Sequence, residues 1–162
     1  GRNDFIAFKV CKNDEYLYFY AETAKPITSY KDNNWMTLFI NTGRNVKSNW
    51  YGYDYAINLE KTIDPSSAVL SKNISAADSY ASNSWVWEQF ATAKMKVDGC
   101  KLMLAVKREN LGIGKDDIID IQFKWADNYQ PDDEGKYTIN TFYIDGDSAP
   151  YGRLNYLYSE KE

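Results

Sequence analysis

Apolar and polar residues alternate through most of this chain, and short clusters of turn formers interrupt the alternation at regular intervals. Phe5 to Cys11 and Glu15 to Ala21, joined by Lys12-Asn13-Asp14, read as a β-hairpin of β-favouring aromatics around a turn. Leu17, Phe19 and Ala21 form one face of its second arm and Tyr16, Tyr18 and Tyr20 the other, which predicts a central strand covered on both sides. Trp35 to Ile40 directs Met36, Leu38 and Ile40 to the core. The cleanest period of two runs from Trp50 to Leu59, with Tyr51, Tyr53, Tyr55, Ile57 and Leu59 set against Gly52, Asp54, Ala56 and Asn58.

Further along, Trp85 to Phe90, Met95 to Val97 and Leu102 to Val106 have strand composition, the last two joined through Asp98-Gly99, a pair suited to a two-residue turn. Lys107 to Gly114 holds one helical turn or none. Ile118 to Trp125 separates Ile119, Ile121, Phe123 and Trp125 from Asp120, Gln122 and Lys124. Tyr137 to Ile144 and Leu154 to Tyr158 are the last strands, while Asp64 to Ser67 and Ser75 to Ser84 read as loops. Eight or nine strands with no amphipathic helix and no repeat predict an all-β chain, a two-sheet antiparallel β-sandwich forming one domain over residues 1–162.

Composition narrows the chemistry more than the fold. The 162 residues include 26 aromatics (7 Phe, 5 Trp, 14 Tyr), enough apolar area to rule against disorder. Histidine is absent, which excludes Ser-His-Asp and Cys-His catalysis and His-ligated zinc or haem. Nineteen Lys+Arg against 23 Asp+Glu give a net charge of -4, with no basic run dense enough for a phosphate backbone, so no nucleic-acid partner is expected. No apolar run approaches the roughly 18 residues of a membrane span. Cys11 and Cys100 each adjoin a turn; two buried free thiols are expected ahead of a pairing. The chain begins at Gly1 without Met, so any export signal has been removed or never belonged to it.

Several segments carry a likeness: Trp35-Met36-Thr37-Leu38-Phe39-Ile40-Asn41-Thr42, Gly52 to Asn58, Phe123-Lys124-Trp125-Ala126-Asp127-Asn128, and Gly146 to Tyr156. Through them the chain resembles the family 9 carbohydrate-binding modules and their DOMON-like relatives, in particular a subgroup at the C-terminal end of larger bacterial exported proteins. The resemblance implies an immunoglobulin-like or DOMON-like sandwich that binds sugar without cleaving it. It also implies a carbohydrate ligand, a parent catalytic domain such as a glycoside hydrolase in the same chain, a monomer, and a location outside the cytoplasm. In that family two Trp side chains clamp a sugar and calcium supports the loops; no Trp pair here matches position by position.

Sugar recognition needs an exposed aromatic face beside hydrogen-bonding groups. Trp50 shares parity with Gly52 and Asp54, opposite the tyrosine face, and follows a polar loop, so it is a ligand platform or a loop or interdomain contact. Trp85 and Trp87 point the same way, about 6.6–7 Å apart, and either form a platform or fill the core, with the core favoured. Trp125 belongs to the core, and Trp35 can flank either region. Asp54 and Arg153 complete the sugar-binding candidates, with an ion pair of Arg153 to Asp127 or Asp147, locking the last loop, preferred over its contact with sugar. Asp127-Asn128, and Asp145 with Asp147, offer oxygens suited to a structural calcium, although turn carboxylates more often cap their own backbone; no cofactor is required. Asp116, Asp117 and Asp120 are the one acidic cluster, at a strand start where solvated charge is normal, so catalysis is not expected. The competing reading is an accessory sandwich that packs against a parent enzyme and binds no free sugar.

Overall fold

The computed structural model describes residues 1–43, 52–62, 64–75, 86–135, 137, 141, 145–152 and 154–161. Its strands are β1 (Phe5–Lys12), β2 (Tyr16–Thr23), β3 (Thr37–Asn41), β4 (Tyr55–Ile57), β5 (Ser67–Asn73), β6 (Trp87–Asp98), β7 (Lys101–Lys107), β8 (Asp120–Asp127), β9 (Asp147–Ala149) and β10 (Tyr156–Ser159). A 3₁₀ turn, Arg108–Leu111, follows β7 and ends on Gly112 in the left-handed region. The chain is therefore all-β, and every pairing is antiparallel.

The order β1-β2-β7-β6-β5-β4-β3-β8-β10, with β9 also on β8, is one continuous path curled nearly into a barrel. Among the described residues no break divides it into the two sheets expected from the sequence. Its ends meet by side chains: Phe8 packs on Tyr156 with ring centroids 5.0 Å apart, Lys12 pairs with Glu160, and the Phe5 amide donates to Asp147 Oδ2 at 3.0 Å. β1 and β10 thus run side by side in the same direction. Every strand sends residues into one core, among them Leu17, Phe19, Leu38, Ile40, Leu70, Leu104 and Trp125.

Several expectations change at this level. The first hairpin forms as predicted, but β2 is covered on one side only: Leu17, Phe19 and Ala21 are buried, while Tyr16, Tyr18 and Tyr20 are half-buried on the outside. β3, β4 and the Phe123 to Asp127 half of β8 are covered on both faces. β4 keeps only three residues of the Trp50 to Leu59 prediction, and Trp50 and Tyr51 lie outside the described residues. Tyr55 and Ile57 face the main core, whereas Tyr53 joins an outer cluster with Phe39, Ala56, Ala126 and Tyr129. β5 was not anticipated. The β6–β7 turn is Gly99-Cys100, one residue later than Asp98-Gly99, because Asp98 pairs with Lys101 and Gly99 takes the positive φ of 60°. The Tyr137 to Ile144 prediction lies mostly outside the described residues.

Both cysteines are free, and Cys11 is exposed rather than buried. Cys11 opposes Tyr18, whereas the Cys100 carbonyl accepts from the Thr23 amide at 2.9 Å. Five strand residues, about 17 Å, separate those positions, against the roughly 7 Å limit between Cα atoms in a disulfide. Two thiols per native chain should therefore titrate with a colorimetric reagent, Cys11 the faster; a count of zero without reductant would contradict this geometry.

Candidate functional site

β6 decides where the site lies. Between Leu70↔Ala91 and Ser71↔Gln89 the β5–β6 register slips by one, leaving Phe90 as the bulged residue. Beyond the bulge Ala91, Ala93 and Met95 face the main core; before it, side-chain parity is inverted. Trp87 consequently leaves the core and packs on the outside of Phe39, ring centroids 6.1 Å apart and 68° inclined. Gln89, on the same side, is exposed at the border of that outer aromatic layer.

A cleft of about 570 Å³ opens there, lined by Asn33, Asn34, Leu59, Glu60, Lys61 and Gln89 around Tyr129 and Tyr137. That volume suits a small ligand of one or two rings. Asn34 is a fixed wall: its Nδ2 donates to the Tyr129 carbonyl at 2.6 Å and to the Tyr137 hydroxyl at 3.0 Å. Tyr129 stands edge-on to Tyr137 and shares a 3.2 Å hydrogen bond with Thr37. Burial pushes the Tyr129 phenol upward, so it stays neutral. By contrast Asn33, Glu60, Lys61 and Gln89 are exposed and make no side-chain hydrogen bond or ion pair among the described residues. Two free amides, one carboxylate and one ammonium thus converge beside a tyrosine wall. Amides and carboxylates in such a ring satisfy hydroxyl donors and acceptors alike.

The Asn33-Asn34 wall is held by an unexpected anchor. Asp127 is wholly buried and accepts from Arg2 Nε at 2.9 Å, Asn3 Nδ2 at 3.1 Å and the Met36 amide at 2.9 Å. Arg2 also donates to the Asn33 carbonyl at 2.6 Å. Arg153, expected to pair with Asp127 or Asp147, lies outside the described residues; Arg2 is a partner of Asp127. Nothing in the sequence pattern marked Arg2, which is 125 residues away.

The other sequence candidates are placed as follows. Trp85, like Trp50, lies outside the described residues. Trp35 is buried, donating to the Thr28 carbonyl at 3.1 Å, and Trp125 is core. Asp54 is 2% exposed; its Oδ2 accepts from the Thr42 amide and hydroxyl at 2.8 and 2.7 Å, and burial raises its carboxyl above the ordinary range. It is a buried cap of Thr42 rather than a surface hydroxyl binder. Asp147 caps Phe5, and no cluster of three metal-ligating side chains occurs among the described residues. Asp117 caps Gly114 at 2.8 Å, and Asp120 pairs with Lys161, which holds its carboxyl below the usual range.

Comparison with known proteins finds no matching protein family, no matching curated protein and no matching solved structure. No helix among the described residues is long and apolar enough to cross a membrane.

Proposed function

We propose that this domain binds carbohydrate without cleaving it, as a family-9-like module of a larger protein working outside the cytoplasm. On this reading it acts as a monomer, needs no metal, and its curled sheet is a DOMON-like sandwich whose two halves share strands. The observation that carries the reading is the cleft of free Asn33, Glu60, Lys61 and Gln89 side chains around Tyr137. Glu60 is the single carboxylate among the lining residues described, whereas glycoside hydrolysis uses a pair, so binding is favoured over catalysis.

Calorimetric titration against a panel of mono- and oligosaccharides tests it. One lost neutral hydrogen bond is worth about 1 kcal/mol, so Gln89→Ala and Asn33→Ala should each weaken binding roughly five-fold. Binding indifferent to both would remove the cleft as the site, and no binding to any glycan would remove the function. The accessory-sandwich reading draws on a different surface: Ile6, Leu154 and Leu157, each more than 60% exposed along the β1–β10 seam. It requires that truncating this domain destabilise its parent.

A further inference from the structure

The outer face of β1-β2-β7-β6 carries a second surface; it shares β6 with the cleft, whose Gln89 stands five residues before Lys94 on the other side of the Phe90 bulge. Register places Cys11, Tyr18, Ala105 and Lys94 in one row across it, and Lys9, Tyr20, Met103 and Lys96 in the next. Between them lies an open groove of about 610 Å³ with an apolar floor of Tyr18, Tyr20, Met103 and Ala105. Lys9 stands on one rim and Lys94 and Lys96 on the other, three strand spacings or about 14 Å apart at the backbone. Lys9 lies 5.5 Å from the Tyr20 ring centroid and Lys94 lies 4.7 Å from that of Tyr16.

Neither row contains an acidic residue; in the next row Lys101, which also lines the groove, stands between Glu22 and Asp98. Lys107, at the margin, is engaged by Glu109 at 3.2 Å, but Lys9, Lys94 and Lys96 have no carboxylate partner among the described residues. Uncompensated cations thus rim this apolar groove in a chain whose net charge is -4. That reversal of sign fits a ligand with an apolar face and regularly placed negative charge.

We infer that this face binds an acidic polysaccharide, pyranose C–H faces resting on Tyr18, Tyr20 and Met103 while ring carboxylates meet Lys9, Lys94 and Lys96. The inference rests on the glycan-binding reading and adds a second, charge-selective surface to it. A uronic acid polymer supplies both features in each residue. Four lysines, one of them set between Glu22 and Asp98, are few for a nucleic-acid track, which engages phosphates in greater number.

The test uses the full chain carrying Cys100→Ser, so that Cys11 is the one thiol and reports on the groove. Hexagalacturonate should bind, slow the alkylation of Cys11 by iodoacetamide, and weaken as ionic strength rises. Lys94→Gln with Lys96→Gln should cost about ten-fold in affinity at low salt, since each exposed pair is worth under about 1 kcal/mol. Gln89→Ala should leave this binding unchanged. Neutral cellohexaose should neither protect Cys11 nor respond to the lysine changes. Binding of neutral sugars at the cleft with no hexagalacturonate protection of Cys11 overturns this inference and leaves the cleft reading intact. Failure of every saccharide overturns both. Protection by oligothymidylate equal to that by hexagalacturonate also overturns it, assigning the groove to nucleic acid.

Discussion

Asp127→Ala is expected to destabilise the fold by about 3–5 kcal/mol, the cost of taking the acceptor from the buried Met36 and Asn3 amides and from part-buried Arg2, and to lower Tm by roughly 6–20 °C. The carboxylate joins three separate pieces of chain: the N-terminal Arg2 and Asn3, the loop before β3 through the Met36 amide, and the end of β8. Met36 has φ = 42°, a left-handed conformation that a long side chain adopts only when its surroundings enforce it. Without Asp127 the Met36 amide and Asn3 Nδ2 lose an acceptor and the strain loses its restraint. Because the same loop carries Asn33 and Asn34, glycan affinity should fall along with stability. Arg2→Ala spares both of those bonds but leaves the buried carboxylate without its counter-charge, so it should cost somewhat less, because Asp127 keeps the Asn3 and Met36 donors. Thermal denaturation of the two variants checks the ranking; equal and small losses would show that the carboxylate is not the anchor.

Lys124→Met is the second large effect, at about 2–4 kcal/mol, because it removes the donor shared by three part-buried carbonyls. Lys124 is on the outward side of β8 yet fully buried, its Nζ donating to the carbonyls of Gly152 at 2.8 Å, Leu154 at 3.1 Å and Pro150. Burial pushes its pKa down to about 8. An unfolded lysine titrates near 10.4, so between about 8 and 10 the unfolded chain holds a proton that the native chain has released. Stability therefore rises with pH across that window. Above about 10 the Tyr20 phenol, pushed up to about 12 chiefly by its hydrogen bond to Glu22, works the other way: the native state keeps a proton that the unfolded state loses. A Tm maximum near pH 10 is the expected result, with the rise from pH 8 absent in Lys124→Met. An identical rise in that variant would assign it to another group.

Strand positions were legible wherever one face met the core, because a period of two is imposed by the backbone and survives any arrangement of neighbours. Phe5 to Ala21, Met36 to Ile40 and Ile121 to Trp125 are read correctly for that reason. β5 was missed because Ala68-Val69-Leu70-Ser71-Lys72-Asn73 mixes small and polar residues whose burial comes from β4 and β6. The site was less legible still. Gln89 and Trp87 face outward only because Phe90 is bulged, and a bulge inverts parity without any requirement on composition. Asn33, Glu60 and Lys61 lie in loops that carry no periodic signal.

What the linear chain settled by itself is the strand-rich class, the absence of histidine chemistry, and which side of most strands is apolar, since these follow from residue type and alternation alone. What only the tertiary structure decided is the curling of one sheet nearly onto itself, the burial of Lys124 against the carbonyls of Pro150, Gly152 and Leu154, and the Arg2–Asp127 pair. The same level set the tyrosine row of β2 on an open face beside unpaired lysines. Each of these depends on segments far apart in sequence meeting in space, where burial and charge are set by neighbours that local pattern does not name.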